Sequence, residues 1–92
     1  MRHLALWIVI LLTWTSTDPD LLVYIEKRRL PAATFRIVAI VPGQYYLDSA
    51  KIREGETYCY RARYWEATTW TPEVCAQAGS VVTLTPPAPV SP

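Results

Sequence analysis

Apolar and polar positions in this chain alternate with a period of two in one short segment after another, with turn residues between the segments. Period two sends successive side chains to opposite faces of an extended strand. The first such segment ends at Thr15, and from Trp7 to Thr15 it is almost wholly apolar, aromatic or β-branched, which suits a buried pleated surface. Ser16-Thr17-Asp18-Pro19-Asp20 follows as a turn cluster, with Pro19 suited to position i+1. Leu21 to Arg28 is the second predicted strand. Val23, Ile25 and the stem of Lys27 share one face, and Tyr24, Glu26 and Arg28 share the other. Pro31 helps to break the pattern over Arg29 to Ala33, and Thr34 to Val41 resumes it.

Pro42-Gly43 marks the next turn. Tyr45 to Asp48 is a short edge or crossover strand, and Arg53-Glu54-Gly55-Glu56 turns the chain again. Thr57 to Tyr64 alternates cleanly, with Tyr58, Tyr60 and Ala62 on one face and Cys59, Arg61 and Arg63 on the other. Glu66 to Pro72 is a loop, and Glu73 to Ala78 is the last paired strand. No segment shows a capped helical period, and no repeat is visible. Short strands punctuated by turns predict an all-β sandwich.

The chain has 92 residues, enough for one small domain. Its net charge of +1 lacks the basic excess that a dedicated nucleic-acid binder or a polybasic membrane-surface protein uses. The apolar run Leu4 to Leu12 is too short for a comfortable transmembrane helix, so no stable membrane span is expected. Met1 to Thr17 has two readings. Arg2 and His3 before that run, and Ser and Thr after it, have the shape of a secretory signal. The strand reading is favoured, because cleavage near Thr17 would remove Trp14, which the rest of the chain needs at its centre. Gly79 to Pro92 ends Thr-Pro-Pro-Ala-Pro-Val-Ser-Pro and reads as an extended linker leading toward a neighbouring domain.

Chemistry is sparse. Cys59 and Cys75 stand too far apart for a CxxC half-site, and the single histidine, His3, cannot complete a metal site with them. One disulfide is the economical reading, and it implies an oxidising compartment, secreted or at the cell surface. No serine has a histidine near it in any strand arrangement, the carboxylates fall mainly in turns, and no glycine-rich phosphate loop is present. No catalytic, cofactor or metal residue is therefore assigned, and no cofactor is expected. Arg28, Arg61 and Arg63 share an outer face with Glu26 as cross-strand partner, a pattern that favours a solvated ladder over a polyanion site.

From Ile10 to Ala78 the chain resembles a fibronectin type III domain of a bacterial kind. Leu12-Thr13-Trp14-Thr15 is similar to strand B of that family, Val23 to Arg28 to strand C, Phe35 to Val41 to strand C′, and Tyr46-Leu47-Asp48 to strand E. Gly55-Glu56-Thr57-Tyr58-Cys59-Tyr60-Arg61-Ala62-Arg63 is the most specific match, to strand F, and Glu73-Val74-Cys75-Ala76 matches strand G. The resemblance implies an immunoglobulin-like sandwich, a Cys59–Cys75 bridge between strands F and G with both residues facing outward, and a core of Trp14, Ile25, Tyr58 and Tyr60. Tyr58 is a candidate tyrosine corner.

The chain departs from the family in having no clear strand A, so that segment is truncated or is improvised by Met1 to Leu6. An exposed edge is the consequence, and Ser80 to Thr85 has the composition to pair with it, in its own or a neighbouring copy. Residues 1–9 thus lead into a domain spanning 10–78, followed by a linker over 79–92.

The function implied is a non-catalytic extracellular module that spaces or presents neighbouring domains and contacts a protein or surface glycan. Tyr64, Trp65 and Trp70, in or beside the loop between strands F and G, are the candidate contact residues, against the plainer reading that they cover the core edge. The alternatives are an accessory carbohydrate-contacting module of a secreted polysaccharide-degrading enzyme, and a self-assembling surface protein.

Overall fold

The computed structural model describes residues 8–16, 18–85 and 87. The described residues contain no helix. Among the described residues there are seven strands: β1 (Ile10–Thr13), β2 (Val23–Arg29), β3 (Arg36–Val41), β4 (Tyr45–Asp48), β5 (Thr57–Tyr64), β6 (Val74–Gln77) and β7 (Val81–Thr83). They form a four-stranded sheet in the order β3-β2-β5-β6 and a three-stranded sheet in the order β4-β1-β7. The chain is an all-β sandwich. Of the Met1 to Thr17 segment that also reads as a secretory signal, Ile10–Thr13 is strand, whereas its basic start, the edge strand expected over Met1 to Leu6, and residues 86 and 88–92 of the expected linker lie outside the described residues.

Alternation decides which side chains meet between the sheets. Ile10 and Leu12 of β1, Val23 and Ile25 of β2, and Tyr58, Tyr60, Ala62 and Tyr64 of β5 are all buried, with Trp14, Ile52, Ala67 and Leu84 completing the cluster. Each large aliphatic side chain sealed in this way contributes roughly 1.5–3 kcal/mol. Trp14 lies one residue beyond β1, where its N–H reaches the Gln44 carbonyl at 3.0 Å. Its indole is buried, and Nε1 finds no acceptor among the described residues. The turn after β3 needs its glycine: Gly43 adopts φ 91°, a left-handed conformation that glycine enters without penalty.

The free edge expected on β1 is closed from within the chain. Gly79, at φ 89°, lets the chain cross from the larger sheet to the smaller one. Val81, Val82 and Thr83 then pair in parallel with Leu11, Leu12 and Thr13. Residues placed in the linker by composition are therefore part of the sheet, and the domain extends past Ala78. Two forces outweigh the polyproline tendency of the tail here. The open edge supplies unpaired backbone groups, and Leu84, fully buried, anchors the segment. No helix among the described residues is long and apolar enough to cross a membrane.

Candidate functional site

The most constructed surface is the outer face of the larger sheet together with the loop after β5. Register brings Cys59 opposite Cys75 in the β5–β6 pair, and the two are joined by a disulfide. Cys75 is exposed, as expected, but Cys59 is fully buried. Its outward direction does not expose it, because it lies in register between Arg28 and Cys75. Arg28 is tied down by two hydrogen bonds to Glu73, at 2.7 and 2.9 Å. The Glu73 hydrogen bond raises the Arg28 pKa, and the Arg28 hydrogen bond holds the Glu73 carboxyl below its ordinary range. Cys59, Cys75 and Glu73 cluster within 4.8 Å. Sulfurs joined to each other offer no thiolate to a cation, and this carboxylate is already paired.

Next along the face the expected arginine ladder forms, but with aromatic rungs instead of solvent. Arg61 donates to Glu26 at 2.8 and 3.0 Å. Its guanidinium is held between the rings of Phe35 at 4.1 Å and Trp70 at 4.4 Å. Arg63 lies between Trp70 at 4.8 Å and Tyr24 at 4.6 Å. Tyr24 in turn packs on Trp65 with ring centroids 4.9 Å apart. The order along the face is Phe35, Arg61, Trp70, Arg63, Tyr24, Trp65. Each cation–ring contact of this partly desolvated kind is worth about 0.5–2 kcal/mol. Phe35 was not singled out from sequence. Its role depends on the β2–β3 hairpin bringing it over Arg61.

The loop that carries Trp65 and Trp70 is pinned at both ends. The Arg63 guanidinium donates to the carbonyls of Tyr64, Trp65 and Ala67. Thr71 folds back on β5, its N–H bonding the Ala62 carbonyl at 2.8 Å and its hydroxyl accepting from the Ala62 N–H at 2.9 Å.

The three candidate contact residues therefore separate. Tyr64 is buried, with its hydroxyl 2.8 Å from Ser16 Oγ, so it is a core residue rather than an exposed contact. Strand alternation accounts for this, since Tyr64 follows Tyr58, Tyr60 and Ala62 inward. Trp70 is partly buried as the wedge between two arginines. Trp65 remains, 47% exposed. It borders a cleft of about 240 Å³ with Asp20, Leu21, Leu22, Tyr64 and Glu66. Leu21 and Leu22 are exposed there, and Asp20 and Glu66 place negative charge at the margin.

At the other end of β2 lies a buried polar network that sequence did not reveal. Asp48 is fully buried. It accepts hydrogen bonds from the Tyr60 hydroxyl at 2.6 Å, Lys27 Nζ at 2.9 Å and the Ala50 N–H at 3.1 Å. Burial first, and the hydrogen bond to Asp48 second, push the Tyr60 phenol well above its ordinary pKa. Tyr58 behaves as the tyrosine corner that its position suggested. Its hydroxyl accepts from the Arg53 N–H at 2.8 Å and donates to the Lys51 carbonyl at 3.2 Å, both in the turn leading into β5.

No family model, curated protein or solved structure matches this chain.

Proposed function

We propose that the chain is a non-catalytic module of the fibronectin type III kind, working outside the cytoplasm, where it spaces neighbouring domains and binds a protein partner through Trp65. The strand order β3-β2-β5-β6 supports reading these strands as C′, C, F and G, with β7 edging strand B on its side away from β4. A bridged pair of cysteines is consistent with an oxidising compartment.

One observation carries the binding assignment. Trp65 stands exposed beside Leu21 and Leu22 on a loop whose carbonyls Arg63 gathers in. A rigid aromatic at a cleft loses little conformational freedom on binding, and Trp is the residue most enriched at binding hot spots. Asp20 and Glu66 at the margin favour a partner segment with an apolar anchor flanked by Lys or Arg.

Panning a displayed random-peptide library on the immobilised module tests this. Selected peptides are expected to carry an aliphatic or aromatic residue next to a basic one, and to lose at least tenfold in affinity for the Trp65→Ala and Leu22→Ala variants. Peptides that bind Trp65→Ala unchanged would refute the assignment. The half-exposed indole also favours a second reading, contact with the face of a sugar ring. A neutral-glycan array separates the two, because binding there that depends on Trp65 supports the carbohydrate reading.

A further inference from the structure

A second groove lies at the opposite end of β2 from Trp65, about 20 Å away at roughly 3.3 Å per residue. Its volume is about 400 Å³, and it runs between the ends of β2 and β3 and the segment Ala50-Lys51. Lys27, Arg28, Arg29, Arg36 and Lys51 line it, and among the described residues no carboxylate does. Two of these charges are already committed, Lys27 to Asp48 and Arg28 to Glu73. The other three are held loosely or carry no ion pair among the described residues. Arg29 has only a loose contact with Glu56 at 3.9 Å, with its side chain 54% exposed. Arg36 and Lys51 are exposed and have no ion-pair partner among the described residues. Two cations without an ion-pair partner among the described residues, and a third only loosely paired, share one groove on a chain whose net charge is only +1.

We propose that this groove binds a sulfated glycan. Arginine forks match oxyanions with paired hydrogen bonds, and sulfate esters repeat such groups along a chain. Ile37, 52% exposed, together with Val38 and Ala32, provides an apolar floor for the C–H faces of sugar rings. Single-stranded nucleic acid fits less well, because it relies on base stacking and Tyr58, the one ring among the described residues that line the groove, is buried. The site shares no lining residue with the Trp65 cleft, so each assignment stands or fails alone.

Isothermal titration of the full chain with a heparin octasaccharide at low ionic strength is the test. Binding is expected to weaken steeply as salt rises. The double variant Arg36→Gln/Lys51→Gly is expected to lose on the order of tenfold in affinity, two charged contacts at roughly 0.7 kcal/mol each. Lys51→Gly is chosen because Lys51 sits at φ 56°, where glycine is at ease, so charge is removed without straining the fold. Trp65→Ala is expected to bind as the parent does, and fully desulfated heparin is expected not to bind. Amide chemical-shift changes on titration should centre on Ile37 and Val38. Absence of octasaccharide binding, an unchanged affinity in the double variant, or equal affinity for an oligothymidylate of the same charge would overturn the proposal.

Discussion

Replacing Lys27 by Met isolates the buried network at the β2–β4 junction. Asp48 is fully buried, and Lys27, at 2.9 Å, is its only ion-pair partner among the described residues. Methionine retains the apolar stem, so the substitution removes the charge and little packing. Tyr60 and the Ala50 N–H still donate to the carboxylate, but neither carries a compensating charge. Stranding a buried charge in this way costs about 3–5 kcal/mol. A domain of this size loses roughly 4–8 °C of Tm per kcal/mol, so the melting temperature should fall by at least about 12 °C. Asp48→Asn alone should cost less, because the Lys27 side chain is 13% exposed and its ammonium can turn toward water. The double variant Lys27→Met/Asp48→Asn should then be more stable than Lys27→Met by more than about 1 kcal/mol, since the stranded charge is gone. Urea denaturation of the four proteins closes the cycle. A Lys27→Met cost below 1 kcal/mol, or no recovery in the double variant, would show that the carboxylate is not electrostatically dependent on Lys27.

Reducing the Cys59–Cys75 bridge, or replacing both cysteines by Ser, should lower stability by about 3 kcal/mol through the freed unfolded chain, given a separation of 16 residues; denaturant midpoints with and without reductant measure it. Lys51→Gly should raise stability by about 0.5–1 kcal/mol, because Lys51 holds a left-handed φ of 56°; thermal melts read the gain directly. The raised Tyr60 pKa means that the folded state keeps a proton which the unfolded chain gives up near pH 10.0. Its contribution is therefore complete below that pH and is lost as pH rises toward the folded value; a Tyr60→Phe variant should show a shallower alkaline decline of Tm. Arg63→Ala should release the 64–67 carbonyls, seen as faster amide exchange across the loop while the β2–β5 amides keep their protection.

Local pattern was enough to settle the strand class and most of the inward set. Period-two alternation alone sends Val23, Ile25, Tyr58, Tyr60 and Ala62 to one side, because pleating leaves a strand residue only two directions. The same rule places Arg61 opposite Glu26 once the strands pair, and it makes Tyr64 a core residue despite its place beside the loop. The cysteine count and the alternation around Cys59 made a bridge to Cys75 the simplest pairing.

Long-range arrangement decided the rest. Asp48 reads as an ordinary polar strand end until β2 brings Lys27 and β5 brings Tyr60 to it, across 21 and 12 residues of chain. Trp65 and Trp70 are near neighbours in sequence, yet one is exposed and the other is fixed between Arg61 and Arg63, because Thr71 folds the loop back onto Ala62. The composition of Ser80 to Thr85 allows a strand but leaves its partner open, in the same or a neighbouring copy; Val81 to Thr83 become β7 where β1 of the same chain offers an unfilled edge and Leu84 finds the core. Intrinsic preference and alternation act within a few residues and can be read along the chain. Charge pairing, ring stacking and edge closure depend on which distant segments meet, and packing alone determines that.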